Sequence, residues 1–369
     1  MNSIERVLAA LTFGKAAHGP PDRVPVLPVP LMQGALVCDC TVAEYFAMPA
    51  GRIAEAQTRI NEMFDGIPDG VAGFPHVIED VTAFGVELVQ HYPNSTPAIE
   101  GMRITDFEQI DGLKCPSPKS SPTLRKTLEI IAQLAGGIGE EKLVIGAAIA
   151  PFSLPSMLMG TSKWMRLLFT PALRNRYFER IMDTCQRFVV DWATLQLQAG
   201  AHVVVLADGM ASATMLPRNT FQEFAFPVIR NTIEQIQGMV AYEAVGRIEP
   251  HVDLCANIGA VGLLIGQEDD IANCKKKLNG RAGLIGNVNN LKMRRWSPAR
   301  IEMQAKTALK AGAPGFGFAL ANQGPEIPFD TSLDGIGALI RAVEKYGRYD
   351  RNVDADSAAP PPRHQTVGC

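Results

Sequence analysis

The chain is short of the features that would place it at once. No apolar run is long enough to cross a bilayer unbroken, so no membrane partner is expected. Lysine and arginine number 35 against 38 aspartates and glutamates, and no long basic run occurs. A formal net charge of -3 of this kind excludes nucleic acid as the main partner. The run Lys275-Lys276-Lys277 reads as one solvated helix face. Seven cysteines, an odd number without regular spacing, fit reduced thiols better than a disulfide framework. Cys38-Asp-Cys40 is the one close pair. It could hold a soft metal, but zinc needs about four ligands, and two small residues before a helix cap at Thr41 are more often packing. The opening Met1-Asn-Ser-Ile-Glu-Arg6 has neither the charged nor the apolar region of a secretory signal, which points to the cytoplasm.

Catalytic signatures are also missing. No Gly-x-Gly-x-x-Gly follows an early strand, which removes support for a dinucleotide fold. There is no phosphate-cradling glycine loop, no Ser–His–Asp order and no lysine at a strand end for a Schiff base.

What is present is one unit, repeated. Val203 to Ala207 are five apolar residues, too few for a buried helix and rich enough in valine for a strand buried on both faces. The run stops at Asp208-Gly209 and leads to a helix from about Pro217 to Gln237. Similar short runs are expected as strands at Val24–Pro28, Gly70–Phe74, Leu143–Ile149, Met239–Glu243, Gly262–Ile265, Ala282–Asn287 and Gly315–Leu320. Helical patterns follow them. A helix over residues 3–13, capped by Ser3, precedes the first, and residues 90–122 form a proline-broken excursion with short strands. Eight such units predict a (β/α)8 barrel in one domain over residues 1–350, followed by a Pro- and Ala-rich tail, 351–369, expected to be disordered.

In such a barrel the loops after the strands build the site. The strand ends offer Met32, Gln33, His76, Ser153, Asp208, Glu243, Gln267, Asn287, Asn289, Asn322 and Gln323. Asp208, Glu243 and His76 are the candidate acids or bases, and the amides are candidates to orient a small-molecule substrate. Each also has a plainer reading: Asp208 as a turn cap, His76 as a ring satisfying a loop carbonyl, Asn287 as a turn brace.

Several of these residues fall in a pattern that resembles the uroporphyrinogen decarboxylase superfamily, and within it the cobalamin-dependent methyltransferases. The matching stretches are Leu206-Ala-Asp208-Gly-Met-Ala-Ser212, Phe221-Gln-Glu-Phe-Ala-Phe-Pro227, Gly286-Asn-Val-Asn289, Asp22-Arg-Val-Pro-Val26, Ala83-Phe-Gly85 and Ala342-Val-Glu-Lys-Tyr-Gly347. The resemblance spans about residues 1–347 and implies the same barrel. It also implies methyl transfer between a small substrate and a corrinoid held on a partner protein, because no Asp-x-His-x-x-Gly cobalt-ligating motif occurs in this chain.

The departures from the pattern are specific. The family's decarboxylases carry an arginine pair after strand one, where this chain has Pro28-Val-Pro-Leu-Met-Gln-Gly34. Their pyrrole-binding aspartate falls at His76, and their tyrosine near Met157. The thiol-methylating members hold zinc through His-x-Cys and a later Cys, which fall here on Glu243-Ala-Val245 and near Pro325. A different zinc site from Glu243, Glu249 and His251, or His76, stays open on donor chemistry. The expectation is therefore a corrinoid-linked methyltransferase with a donor or acceptor such as a folate or thiol, and with homo-oligomerisation possible. The alternatives are a decarboxylase or lyase of another small acid, or a partner subunit without catalysis.

Overall fold

The computed structural model describes residues 1–17 and 19–349, so the expected tail 351–369 lies outside the described residues. Nine strands occur among the described residues: β1 Gly70–Ala72, β2 Glu87–Val89, β3 Ala98–Glu100, β4 Leu143–Ile149, β5 Val203–Ala207, β6 Met239–Glu243, β7 Gly262–Leu264, β8 Gly283–Val288 and β9 Phe318–Asn322. Seven form one parallel sheet in the order β1-β4-β5-β6-β7-β8-β9, while β2 and β3 make a small antiparallel hairpin inside the excursion. The valine- and leucine-rich runs are buried on both faces, as parallel strands between helices require.

The expected first strand is not a regular strand. Val26 makes a single parallel bridge to Leu320 of β9, because Pro25 and Pro28 have no N–H to give a ladder. The segment is nevertheless pinned on both sides. Leu27 N–H donates to Leu320 O and Leu320 N–H to Pro25 O, each at 2.8 Å, while Asp69 N–H donates to Val26 O at 2.9 Å. It is the eighth stave that joins β9 back to β1.

Asp69, fully buried just before β1, holds this seam. Its carboxylate accepts from Arg6 Nη1 at 2.6 Å, from Arg23 Nη1 at 2.7 Å and from Val26 N–H at 2.8 Å. One side chain thus ties the N-terminal helix, the proline segment and the sheet. The helix, Ser3–Leu11, is capped by Asn2 in a reciprocal box with Glu5, rather than by Ser3 as expected. It closes the N-terminal end of the barrel and lies so close to β8 that a Cβ on Gly283 would meet Leu11 Cδ2 at 2.6 Å.

Other departures have local causes. The last strand starts at Phe318 rather than Gly315, since Gly315, Phe316 and Gly317 all have positive φ and form a turn. The expected second strand ends two residues early, at Ala72. The helix after β5 contains a π-turn over Phe221–Ala225, where Pro227 cannot donate to the preceding turn. The helical region from residue 41 breaks at Pro49, and that from 154 breaks at Gly160 and again before Pro171. Lys275 is not on a solvated face: its Nζ donates to Gly312, Pro314 and Phe316 carbonyls at 2.5–2.6 Å. No helix among the described residues is long and apolar enough to cross a membrane.

The seam yields the first prediction. Asp69→Ala leaves two guanidinium groups without their shared anion, and loss of one partner of a buried ion pair typically costs about 3–5 kcal/mol. Urea unfolding should show a loss of that order. A change within experimental error would mean that the barrel closes without this node.

Candidate active site

Strand parity decides which side chains reach the barrel axis. Along β5, Val203, Val205 and Ala207 line the interior, and along β6 so do Met239, Ala241 and Glu243. Glu243 stands in register with Ala207 on one side and Leu264 on the other, and neither can donate a hydrogen bond. Only 4 % of Glu243 is exposed. Among the described residues no group donates to its carboxyl, and burial alone pushes it up to about 7.

Glu243 lines two spaces. Beneath it a narrow apolar hollow of about 110 Å³ runs along the axis, walled near the mouth by Ala147, Ala207, Ala241 and Ala321. Above it a cavity of about 500 Å³ opens at the C-terminal ends of the strands. Met32, Gln267, Asn289 and Gln323 line this upper space with Glu243, so five of the expected residues meet in one place. Gln323 Oε1 accepts from Gln267 N–H at 2.6 Å, and Asn289 caps a short helix through Lys292 N–H at 2.8 Å.

The structure places the other candidates elsewhere. Asp208 follows the inward Ala207 by one residue and points the opposite way, behind the sheet. It is fully buried, accepting from Ser153 Oγ at 2.5 Å and from Tyr242 Oη at 3.3 Å, and Ser153 Oγ in turn accepts from Met210 N–H at 2.9 Å. Burial pushes Asp208 up to about 6 against the hydroxyl bonds that hold it down. Neither Asp208 nor Ser153 lines the cavity. His76 is buried with its ring edge against Phe46, its Nδ1 has no partner, and burial lowers it to about 4. It too lies off the cavity lining.

Asn322 braces the mouth by accepting from Val29 N–H at 2.9 Å, and Gln33 Nε2 donates to Pro328 O at 3.0 Å. Asn287 donates to Gly266 O at 2.9 Å and faces a separate cleft.

The metal set suggested by the sequence is not brought together. Glu249 accepts from Asp270 N–H and Asn273 Nδ2, and His251 stacks on Phe221 with Nε2 at 3.2 Å from Leu216 O. Among the described residues no group of three or more His, Cys, Asp or Glu could hold a metal, Cys38 and Cys40 included. The zinc implied by the family pattern does not fit either, since Val245 and Pro325 carry no lone-pair donor in their side chains.

One residue escaped the sequence reading. Glu326, two positions past the Gly324 turn after β9, lines the cavity half-buried, and burial pushes it up to about 7. The signal was its position beside Pro325, where the family pattern expects a metal ligand. Arg247 and the exposed Glu268 complete the charged lining.

Fold and site together define a (β/α)8 barrel with a carboxyl-bearing cavity at the C-terminal mouth. The uroporphyrinogen decarboxylase (URO-D) family profile matches residues 3–346, and the chain belongs to that family. It is 25% identical over 271 residues to the methylcobamide:CoM methyltransferase MtaA of Methanosarcina barkeri, covering 72% of this chain and 76% of that one. It is 24% identical over 249 residues to the uroporphyrinogen decarboxylase of Chlorobaculum tepidum, covering 63% and 66%. Among solved structures, a methyltransferase from Methanosarcina mazei superposes with a TM-score of 0.82 at 21% identity, covering 94% of this chain and 99% of that chain.

The buried carboxyls set a pH dependence. Glu243 rises from 4.5 to about 7 on folding, so the folded state holds the proton more tightly than the unfolded chain. Its contribution is present below about 4.5 and lost as pH rises through 7. Glu243→Gln removes that loss. The variant should gain stability relative to the parent between pH 5 and pH 8, by up to about 1.4 kcal/mol per pH unit. Denaturation curves at the two pH values check this, and a difference independent of pH would contradict it.

Proposed function

We propose that the chain transfers a methyl group between a small methylated compound and a corrinoid carried by a partner protein, with Glu243 as the carboxyl at the reacting centre. The observation that carries this is the buried, donor-free Glu243 between an apolar hollow and an open cavity. A carboxyl that its own protein gives no donor, facing an open cavity, is free to take its partner from a molecule bound there. The names of relatives such as methylcobamide:CoM methyltransferase support the reaction type.

Near pH 7 Glu243 has two useful states. Protonated, it gives a proton to a heteroatom that leaves as an anion; ionised, it faces a donor that already carries positive charge. Gln267, Gln323 and Asn289 orient the substrate, and the 500 Å³ cavity leaves the mouth open to the corrinoid partner. Asp208 serves this site from behind, through Tyr242, which precedes Glu243 on β6.

Decarboxylation is the second reading, favoured by the uroporphyrinogen decarboxylases among the relatives. The lining opposes it for polycarboxylates: Glu243, Glu268 and Glu326 face one arginine, Arg247.

Methyl transfer to reduced corrinoid, followed by its absorbance change, tests the proposal. With a donor whose heteroatom leaves as an anion, Glu243→Gln should lower turnover by about 10²–10⁴-fold, the range of a placed acid. Asp208→Asn should instead lower stability by about 1–3 kcal/mol by disturbing a buried hydrogen-bonded group, with turnover within about tenfold. A large loss in Asp208→Asn alone would move the reacting carboxyl to β5. Rapid uroporphyrinogen decarboxylation would overturn the methyltransferase reading.

A further inference from the structure

We propose that the mouth cavity takes a methylated onium cation, a quaternary ammonium or sulfonium group, as methyl donor, seated beside the Glu243 carboxylate. This deepens the methyl-transfer reading and rests on it.

Three features converge on that ligand. Glu243 is 96 % removed from solvent by its 4 % exposure, is aimed into the cavity, and has no donor among the described residues. Its register neighbours, Ala207 and Leu264, present only hydrocarbon. An onium group suits such a place because its charge is spread over methyl groups that need apolar walls beside a carboxylate, not directed hydrogen bonds. The hollow beneath Glu243, walled near the mouth by four alanines, supplies those apolar walls.

Carboxyls outnumber cationic groups around the cavity. Glu243 comes from β6, Glu268 from the loop after β7 and Glu326 from the loop after β9, while Arg247, after β6, is exposed at the rim. Three carboxyls against Arg247 and the nearby Lys292, whose Nζ lies 3.4 Å from Gln267 Oε1, favour a cation over a sulfonate, phosphate or carboxylate once Glu243 and Glu326 are ionised.

The chemistry balances without an acid. The C–N or C–S bond breaks with its electron pair staying on nitrogen or sulfur, so the leaving group departs as a neutral amine or sulfide. The reduced corrinoid of the partner protein supplies the electron pair of the new bond to the methyl carbon. No proton is consumed. Glu243 then stabilises the cationic ground state and holds the methyl group toward the open mouth.

Calorimetric titration of the full chain at pH 8 tests the proposal, with choline as the onium and dimethylbutanol as its uncharged carbon isostere. Choline should bind at least about tenfold more tightly than the isostere, a difference of about 1.4 kcal/mol. Glu243→Gln should abolish that difference while keeping a cooperative thermal transition, and Glu326→Gln should reduce it. Binding should weaken from pH 8 to pH 6 as Glu243 and Glu326, both near 7, take up protons. Equal binding of the isostere, full affinity in Glu243→Gln, or tighter binding of methanesulfonate would each overturn the proposal. Ammonium ion binding as well as choline would overturn it too, by showing a site that accepts N–H hydrogen bonds. Choline binding without methyl transfer to corrinoid would sink the parent reading and the donor role together, leaving an onium-binding site only. Methyl transfer from neutral ethers without choline binding would sink only the onium assignment.

Discussion

A carboxyl group almost wholly buried, with no donor from its own protein and facing an open cavity, is the constraint on which the site depends. Burying a polar group without a partner costs free energy, and burying its charged form costs more. The chain accepts this at Glu243 because β6 places it between Ala207 and Leu264, where no neighbouring side chain can answer it. The result is a group that titrates near neutrality. Its hydrogen-bonding and electrostatic demand points at whatever enters the cavity.

The two ends of the barrel divide the work. At the N-terminal end Asp69 joins Arg6 and Arg23, whose remaining N–H groups go to Asp22, Glu344 and backbone carbonyls, and the first helix shuts the axis. At the C-terminal end polar side chains meet around open space. Asp208 belongs to neither: with Ser153 and Tyr242 it is a satisfied polar node between the sheet and its helices, and it fixes the strand that carries Glu243. A structural end and a chemical end are what the barrel architecture leads one to expect.

Much of the fold was legible because buried parallel strands announce themselves as short valine- and leucine-rich runs. Leu143–Ile149 and Met239–Glu243 were read to the residue. The proline segment at 24–28 was harder, since its pairing depends on a distant carboxylate at Asp69 that no local pattern reveals. The site was legible only as a list of strand ends. That list could not say which ends face the axis, although parity along Val203, Val205 and Ala207 would have turned Asp208 away. Glu249 and His251 are close in sequence to Glu243, but the turn at Gly246 carries them to the outer side, where each has its own partners. Glu326 sits in a loop without periodicity, so only the spatial convergence of β6 and the β9 loop brings it to Glu243's cavity. The resemblance to a family located the lost thiolate positions but not what replaced them.

The account turns on the state of one carboxyl group. A carbon-13 NMR titration of glutamate-labelled protein, assigned by the signal missing from Glu243→Gln, measures it directly. The account predicts a Glu243 midpoint near 7, moving down when a cation occupies the cavity. A midpoint near the ordinary 4.5, unmoved by any ligand, would contradict it.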